Sequence, residues 1–281
     1  MGRPRRTRRR PRRPGAARDA GRPARAARAA PVTALAVTWW GHASATVELA
    51  GLRVATDPLH VRRLLHLVRH GPLPAAPAYV ADLVVLSHLH LDHLHVPTLR
   101  RMAPGSVVLV PRGGESLVPP GHDVRPVVPG EEVVAAGARV QVLPADHDGR
   151  RLPGSSLRGP ALGFRIEHRE VSLWYPGDTG PRQDLAGVGA VDLALVPVGG
   201  WGPTLGSGHL DPDQAAAAVT EVGARWAVPV HWGTFWPAGL RRLDRRTHER
   251  LFVTPGARFA AALGPGPPAP VVLAPGERVE L

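Results

Sequence analysis

Residues 82–95 read DLVVLSHLHLDHLH, a continuous apolar run that ends in a cluster of potential metal ligands. The apolar run is typical of a strand that is buried on both faces of a sheet. In extended chain, residues two apart point to the same side, so His88 and His90 can converge on one ion. If the chain then turns into a helix, Asp92 and His93 are carried towards a second ion. Imidazole and carboxylate groups suit zinc in tetrahedral or five-coordinate geometry.

The composition narrows the class of protein. The chain has 281 residues, 43% of them hydrophobic, so it can bury a sizeable core in one large domain or two small ones. It has no cysteine, which leaves histidine and carboxylate side chains as the strong metal ligands. No apolar stretch reaches the length of a membrane span, and no apolar signal segment is visible. We therefore expect a cytoplasmic protein.

The net charge of +12 is concentrated at the start of the chain. Residues 1–30 hold twelve Arg and one acid, Asp19, so about +1 is left for all later residues. We predict a disordered Arg-rich arm over 1–31, because it lacks apolar periodicity, and a single hydrolase domain over 32–281. The arm is interpreted as an anion-binding tail, a targeting segment, or the product of a start codon placed upstream of a true start near Val32.

Short strands dominate the sequence from Pro31 onward. Gly51 separates two of them and predicts a tight hairpin. The predicted strands cover residues 34–40, 45–50, 52–57, 82–87, 106–111, 139–147, 161–167, 171–178, 192–199 and 225–232.

Three segments are predicted to be helical. Asp211 is a suitable N-cap, Pro212 is tolerated at the first helical position, and the alanine-rich residues that follow favour a helix up to Gly223. Shorter helices are predicted over 96–102 and within the charged segment 240–252. Strands that pair first and then alternate with helices, twice over, predict two packed sheets with helices outside, a four-layer αββα sandwich.

Residues 59–80 interrupt this pattern with LHVRRLLHLVRH and a proline-rich stretch. Val61, Leu64, Leu65 and Val68 share one face of a helix, so the spacing predicts an amphipathic helix. Such a helix could pack on the core as an ordinary surface helix, form a lid near the site, or touch a lipid surface.

Further candidate ligands share one context, a strand or apolar run that ends on a polar residue. His147 ends VQVLPADH, Asp178 ends SLWYPGD and His231 ends WAVPVH. Strand ends along one edge of a sandwich can collect residues that are distant in sequence on a rigid frame. These residues favour a metal site over a merely solvated histidine-rich loop.

Taken in order, these motifs resemble the metallo-β-lactamase superfamily. Within it, they are similar to the branch that includes N-acyl-phosphatidylethanolamine-hydrolysing phospholipase D and L-ascorbate-6-phosphate lactonase. The resemblance covers about residues 34–240 and implies the αββα fold. The matching segments are WWGHASATVEL (39–49), ATDP (55–58), LSHLHLDHL (86–94), YPGDTG (175–180), DLALVPVGG (192–200), GHLDPDQA (208–215) and VHWGTF (230–235).

The resemblance implies a centre of two zinc ions with seven protein ligands. One ion would be bound by three histidines, the other by one aspartate and two histidines, and a further aspartate would bridge the two. In that order, the ligands are His88, His90 and His147; Asp92, His93 and His231; and Asp178. Manganese or iron could occupy the same ligands.

Two further roles come from the resemblance. Asp57 would orient a ligand, the alternative being an aspartate that only forms the turn before Pro58. His209, two residues before Asp211, would face the substrate and stabilise an oxyanion or protonate the leaving group, unless it packs against the helix start. Asp92 and His209 are the predicted catalytic residues.

Other candidates surround this set. His42 is predicted to have either a site role or a structural hydrogen bond beneath the sheet. Asp146 and Asp148 flank His147 and could orient it. Three tryptophans either line the pocket or belong to the core: Trp201, Trp232 and Trp236. The other histidines are predicted to be surface or loop residues: His60, His66, His70, His95, His122, His168 and His248.

The ligands and charges imply hydrolysis. Two zinc ions carry four positive charges, whereas Asp92, Asp178 and a bridging hydroxide carry three negative ones, so the centre attracts a phosphate or polarises a carbonyl. Water on zinc ionises near pH ~7, which supplies a nucleophile without Ser or Cys. We predict a zinc-dependent hydrolase that uses a hydroxide bridging two zinc ions. The resemblance favours phosphodiester substrates, including phospholipid-like ones.

Two alternatives stay open: a lactonase or carboxylic-ester hydrolase of the same fold, and a degenerate metal-binding scaffold. The lack of cysteine disfavours many zinc β-lactamases, and His90 stands where di-iron redox proteins would carry Glu. The nearly neutral folded part disfavours a nucleic-acid partner. The expected partner is a small anionic or ester substrate, and peripheral contact with a membrane stays open.

Overall fold

The structure is a computed structural model that describes residues 1–2, 34–200 and 202–281. Apart from residues 1–2, the predicted arm over 1–31 lies outside the described residues, and so does Trp201.

The strands are β1 Leu35–Gly41, β2 Ser44–Leu49, β3 Leu52–Thr56, β4 Arg63–Leu64, β5 Leu67–Arg69, β6 Leu83–Val85, β7 Val107–Pro111, β8 Asp123–Val127, β9 Glu132–Ala135, β10 Ala138–Pro144, β11 Leu162–His168, β12 Val171–Tyr175, β13 Val191–Pro197, β14 Ala224–Val230, β15 Phe235–Pro237, β16 Ala269–Pro270 and β17 Arg278–Glu280. The α-helices are α1 Val96–Leu99, α2 Pro212–Val222, α3 Leu240–Leu243, α4 Arg245–His248 and α5 Pro255–Leu263. A π-helical turn covers Glu249–Val253, and 3₁₀ turns cover Ala76–Tyr79, Glu115–Leu117 and Leu185–Val188.

Most of these strands form two sheets that pack face to face. In the described part of the chain, the first sheet has the order β17-β1-β2-β3-β6-β7-β8 and the second has the order β16-β14-β13-β12-β11-β10-β9. Strands β3, β6, β7 and β8 run parallel to one another, as do β12, β13 and β14. Ala50 and Gly51 both adopt positive φ between β2 and β3, as a two-residue hairpin turn requires.

Apolar residues on alternate sides of the strands build the layers. In β6, Leu83 and Val85 face the core between the sheets, whereas Val84 faces the outer layer, where α1 packs. Helix α2, with a capping box between Asp211 and Gln214, packs with α5 on the outer face of the second sheet. The predicted αββα sandwich is confirmed, although the outer layer of the first sheet holds only short helical turns.

The predicted helix within residues 59–80 is wrong. Strands β4 and β5 form a hairpin there, which continues through β15 into a three-stranded sheet. Leu64 is buried while Leu65 is exposed at the hairpin turn, so the leucines do not share one face. The buried guanidinium of Arg69 donates hydrogen bonds to the carbonyls of three residues, Trp40, Leu59 and Val61. These tertiary contacts outweigh the local helical pattern.

Several elements were not predicted, namely β8, β9, β15, β16, β17 and α5. The segment predicted to be helical over 240–252 divides into α3, α4 and the π-helical turn. Among the described residues, no helix is long and apolar enough to cross a bilayer.

Candidate metal centre

The seven predicted ligands lie in loops that follow β6, β10, β12 and β14. Because parallel strands end at the same edge of a sheet, these loops meet at one end of the sandwich. The chain adopts positive φ at three non-glycine residues of this edge, His42, Asp57 and His231. Such backbone conformations are costly outside glycine, and they persist where the surrounding structure holds them in place.

Three histidines, which we call the histidine group, converge here: His88, His90 and His147. The Nε2 atom of His88 lies 2.9 Å from Nδ1 of His90, and Nε2 of His147 lies 3.2 Å from the same atom. In a tetrahedral zinc site with ordinary Zn–N bonds, neighbouring nitrogens are about 3.3 Å apart. The spacing of the histidine group therefore fits three ligands of one ion.

A second set, which we call the carboxylate group, contains Asp92, His93 and His231. The Nε2 atoms of His93 and His231 are 3.1 Å apart, and each lies 3.2 Å from Oδ2 of Asp178. Oδ2 of Asp92 is 3.6 Å from His93 and 3.9 Å from His231. All four residues are buried, and their spacing fits the ligands of a second ion.

Asp178 faces both groups. Besides its contacts in the carboxylate group, its ligand atom lies within 4.8 Å of those of His147 and His209. The ring centroids of His88 and His93, one from each group, are 4.0 Å apart. The structure therefore brings all seven predicted ligands together, with Asp178 between the two groups.

Hydrogen bonds fix which ring nitrogen faces inward. His93 donates from Nδ1 to Asp57 at 2.6 Å, while His147 and His231 donate from Nδ1 to backbone carbonyls at 2.9 and 3.0 Å. Each Nε2 is thereby left with a lone pair directed into the centre. This is the tautomer that binds a metal.

Asp57 organises a buried network under the centre. Its carboxylate accepts hydrogen bonds from the Ser87 backbone at 2.8 Å, the Ser87 hydroxyl at 2.5 Å and the Tyr175 hydroxyl at 2.5 Å. Because Ser87 donates its only hydroxyl proton to Asp57, its oxygen accepts from Nδ1 of His88 at 2.9 Å. One carboxylate thus orients His93 directly and His88 through Ser87. Nothing in the local sequence singled out Tyr175.

These lone pairs provide a test of whether the residues fit a metal. The Nε2 atoms of His93 and His231 face each other at 3.1 Å, and two lone pairs at this distance repel unless a cation lies between them. The donors are imidazole nitrogens and carboxylate oxygens, the set that zinc binds. The residues therefore fit divalent metal ions.

The electrostatics also favour a cation here. Burial alone would raise the pKa of Asp92 and of Asp178, yet the neighbouring histidines hold both well below their usual range. Burial lowers the pKa of His88 and of His231. Burial also acts to lower the pKa of His93, but Asp178 and the other carboxylates raise it well above its usual value. The carboxylates therefore stay charged, and positive charge is stabilised between them.

His42 has a closer connection to the centre than its position in a glycine turn suggested. The side chain is buried, and Nε2 donates to Oδ2 of Asp92 at 2.9 Å. Its ring lies 4.0 Å from that of His231. The WWGHAS segment was the only sequence signal for this contact.

His209 lies at the open side of the centre. Its Nε2 is 3.4 Å from Oδ2 of Asp178, and 22% of its side chain is exposed. Burial would lower the pKa of His209, but the hydrogen bond with Asp178 raises it. Its Nδ1 is buried and has no hydrogen-bond partner within the described part of the chain. The ring nitrogen that faces the centre is therefore Nε2, beside Asp178.

The structure contradicts two expectations about His147. Asp148 pairs with Arg150 instead of orienting the ring, and the carbonyl of Gly208 accepts the Nδ1 hydrogen bond. Asp146 contributes its backbone, which bonds to the loop that carries Asp178. The His147 ring is therefore oriented by a backbone carbonyl in the loop before α2, and not by the carboxylate of Asp146 or Asp148.

Arg151 was not predicted as a site residue, but it supports the turn at residues 88–94, which we call the ligand turn. Its guanidinium donates at 2.6 Å to the carbonyls of both Leu89 and Leu94, on either side of the turn. No motif marks this arginine, because its partners are backbone atoms distant in sequence.

The other candidates belong to the core or lie away from the centre. Trp232 stacks on Trp39 with ring centroids 5.5 Å apart, and Trp236 is buried, so both pack with the core. Three histidines that we expected at the surface or in loops are buried: His60, His95 and His248.

Comparisons with known proteins point in the same direction. The family described as "Beta-lactamase superfamily domain" matches residues 24–232. N-acyl-phosphatidylethanolamine-hydrolyzing phospholipase D 1 of Caenorhabditis elegans is 30% identical, over 78% of this chain and 69% of its own. A UPF0173 metal-dependent hydrolase of Methanoculleus marisnigri is 32% identical over 88% of this chain and 97% of its own. The structure of a metallo hydrolase from Ignicoccus hospitalis superposes with a TM-score of 0.62 at 23% identity. The superposition covers 87% of this chain and 97% of that one.

Proposed function

This chain belongs to the beta-lactamase superfamily, and we propose that it is a two-zinc hydrolase of phosphodiesters. It is a metal-dependent hydrolase of that superfamily. The observation that carries the proposal is the pair of adjoining donor groups that share Asp178. Zinc ions bound there would acidify water to supply the nucleophile and would stabilise charge on the reacting oxygens.

The choice of two ions follows from the number and grouping of donors. The histidine group offers three inward-facing nitrogens, and the carboxylate group offers two nitrogens and an oxygen. One ion cannot reach both groups, because ligand bonds are about 2.0–2.3 Å long. The proposed ligands are His88, His90 and His147 for one ion, Asp92, His93 and His231 for the other, and Asp178 for both.

The charge balance favours an anionic substrate. Two carboxylates, Asp92 and Asp178, are buried at the centre, and two divalent cations outweigh their charge. A phosphodiester carries the negative charge that such a centre attracts. The similarity to a phospholipase D supports the same substrate class, including phospholipid-like molecules.

Two residues are proposed to act on the substrate's protons. His209 is placed at the open side of the centre and can donate a hydrogen bond to a substrate oxygen or a proton to the leaving group. Asp92 lies at the margin of its group, with longer distances to the other donors than Asp178 has. His42 holds it there, which leaves its carboxylate placed to accept a proton.

The test combines metal analysis with a substrate panel. We expect about two zinc ions per purified chain, and turnover of bis(p-nitrophenyl) phosphate that is lost with chelator and restored by zinc. Aliphatic lactones, carboxylic esters and RNA serve as comparison substrates and should be poor ones. Turnover of lactones without phosphodiesters would contradict the substrate class. A single ion, or manganese or iron in place of zinc, would contradict the centre as proposed.

A further inference from the structure

Two segments distant in sequence form one strongly basic surface. Strand β15 pairs with β5 of the hairpin, and the backbone of Ala238 donates to the carbonyl of His66 at 3.1 Å just before α3 begins. On the far side, the ring of Phe252 lies 5.1 Å from that of His70. The hairpin and the segment 240–253 are therefore neighbours. We call their shared outer face the basic surface.

Seven exposed arginines lie in these two segments: Arg62, Arg63, Arg241, Arg242, Arg245, Arg246 and Arg250. None of them forms a salt bridge within the described part of the chain. The acids in the same segments are Asp244 and Glu249. With the seven exposed arginines they give a net charge of about +5. Because residues after the arm carry only about +1 together, this is a local concentration of charge. Unpaired, exposed guanidinium groups attract anions.

Apolar side chains stand out among these arginines. Leu65 is 68% exposed and Leu243 is 84% exposed, on the hairpin and on α3. Leu65 also has a φ of +51°, a conformation that leucine rarely adopts and that a turn normally gives to glycine or asparagine. A strained and exposed leucine at a hairpin tip contributes nothing to the core. It is suited to contact something outside the molecule.

A cleft of about 800 Å³ lies in the same face. It is lined by His70, Arg241, Arg242, Arg245 and His248, together with the single acid Glu249. Guanidinium groups present paired donors that match phosphate oxygens. The cleft therefore has the chemistry of a site for phosphate-bearing groups.

We infer that the basic surface docks on anionic lipid membranes, with arginines on headgroup phosphates and Leu65 and Leu243 inserted among the acyl chains. A nucleic acid would use the arginines but gains little from exposed leucines. A second copy of the chain would place positive charge against positive charge. A lipid surface satisfies both features at once.

Docking would also place the metal centre close to the membrane. Beneath the hairpin, Leu59, Leu64, Leu67 and Phe235 form a small cluster, and Leu91 of the ligand turn packs against it. The docking surface and the ligand turn therefore share one support. The inference does not depend on the proposed reaction, since it concerns a different face and different residues.

The test measures vesicle binding by the full chain, arm included. Binding is compared on phosphatidylcholine vesicles with and without about 30% phosphatidylglycerol. One variant combines Leu65→Ser with Leu243→Ser, and another combines Arg241→Gln, Arg242→Gln and Arg245→Gln. The matched controls are Val134→Ser, exposed on β9, and the triple variant Arg158→Gln, Arg169→Gln, Arg225→Gln, which removes equal charge elsewhere.

We expect the wild type to bind only vesicles that contain phosphatidylglycerol. The leucine variant should lose about tenfold in partitioning and the arginine variant on the order of a hundredfold at low salt. The controls should bind like wild type, and hydrolysis of a soluble phosphodiester should stay unchanged in all variants.

Three results would overturn the inference. Equal binding by every variant would assign the interaction to the arm. If only the arginine variant loses vesicle binding, and inorganic phosphate or RNA competes with the vesicles for the wild type, then the surface is an anion site that does not insert into the membrane. A change from dimer to monomer in the leucine variant would show that a second copy covers the surface.

Discussion

The two donor groups differ in how the protein holds them. Every member of the carboxylate group is buried, whereas His90 and His147 of the histidine group are only partly buried. Side chains support the first of these sets: Asp57 holds His93, and His42 holds Asp92. A backbone carbonyl holds His231 as well. In the histidine group, the Ser87 hydroxyl holds the buried His88, whereas a backbone carbonyl in the loop before α2 holds His147. A group fixed by buried side chains should keep its ion longer than one fixed by a surface loop.

Asp178 belongs to both groups, so replacing it should have the largest effect. In Asp178→Ala, a charged donor that both groups share is lost, and the remaining histidine nitrogens face one another uncompensated. We expect phosphodiester turnover to fall at least about a thousandfold, since even supporting residues of a metal site cost ten- to hundredfold. Elemental analysis should show fewer than two ions per chain. Unchanged metal content and turnover would remove Asp178 from the centre.

Gly208 offers a way to disturb the histidine group alone. A Cβ at this position would lie 2.8 Å from Nδ1 of His147, closer than side chains pack, so Gly208→Ala should displace that ring. We expect affinity for one ion to fall about a hundredfold while the other ion stays bound. Metal titration with competing chelators measures the two affinities.

Gly206→Ala is the matched control, because the nearest atom to its added Cβ is Nδ1 of His209 at an ordinary 3.8 Å. It should leave both affinities unchanged. If Gly208→Ala releases both ions together, then the two groups are not separable and the comparison between them fails.

The same contrast explains what the sequence could predict. Each candidate ligand, from His88 to His231, follows an apolar strand, and strand ends meet at one edge, so motif and periodicity together predicted that these residues converge. The supporting residues were not predictable in this way. Tyr175, Arg151 and the carbonyl of Gly208 act through contacts between distant loops, which leave no local pattern.

The helix prediction for residues 59–80 failed for a related reason. Valines and leucines spaced three and four apart match a helix, but this pattern does not predict which acceptors the buried Arg69 bonds to. Three carbonyls hold the chain extended around it, two of them in the same segment and the third on Trp40 in β1. Local periodicity is a weak predictor where a buried charge must be satisfied by long-range bonds.

His42 gives the corresponding test of the carboxylate group. His42→Ala removes the hydrogen bond to Asp92 and should weaken one ion about tenfold, with the ion of the histidine group unaffected. His42→Gln keeps a side-chain donor and should recover part of the loss. Metal titration decides between this role and a purely structural one, in which stability would fall while both affinities stayed as in wild type.

The last prediction concerns a buried histidine outside both groups and its effect on the free energy of unfolding. His60 is 2% exposed, and burial together with nearby Arg69 lowers its pKa from 6.5 to about 3. Its folded form binds fewer protons than its unfolded form between these values, so its contribution to stability is present above pH 6.5 and is lost as the pH falls towards 3. By pH ~5 this single histidine should cost about 2 kcal/mol of unfolding free energy.

In His60→Gln this part of the acid destabilisation should be absent. Urea unfolding of wild type and variant from neutral pH to pH ~5 measures the difference, in which any loss of metal common to both proteins cancels. His66→Gln, at an exposed histidine of the hairpin, is the control and should keep the wild-type slope. Parallel pH dependences for all three proteins would mean that His60 can be protonated in place. In that case burial alone does not keep a histidine neutral in this fold, and the neutral ligands of the histidine group depend on their hydrogen bonds instead.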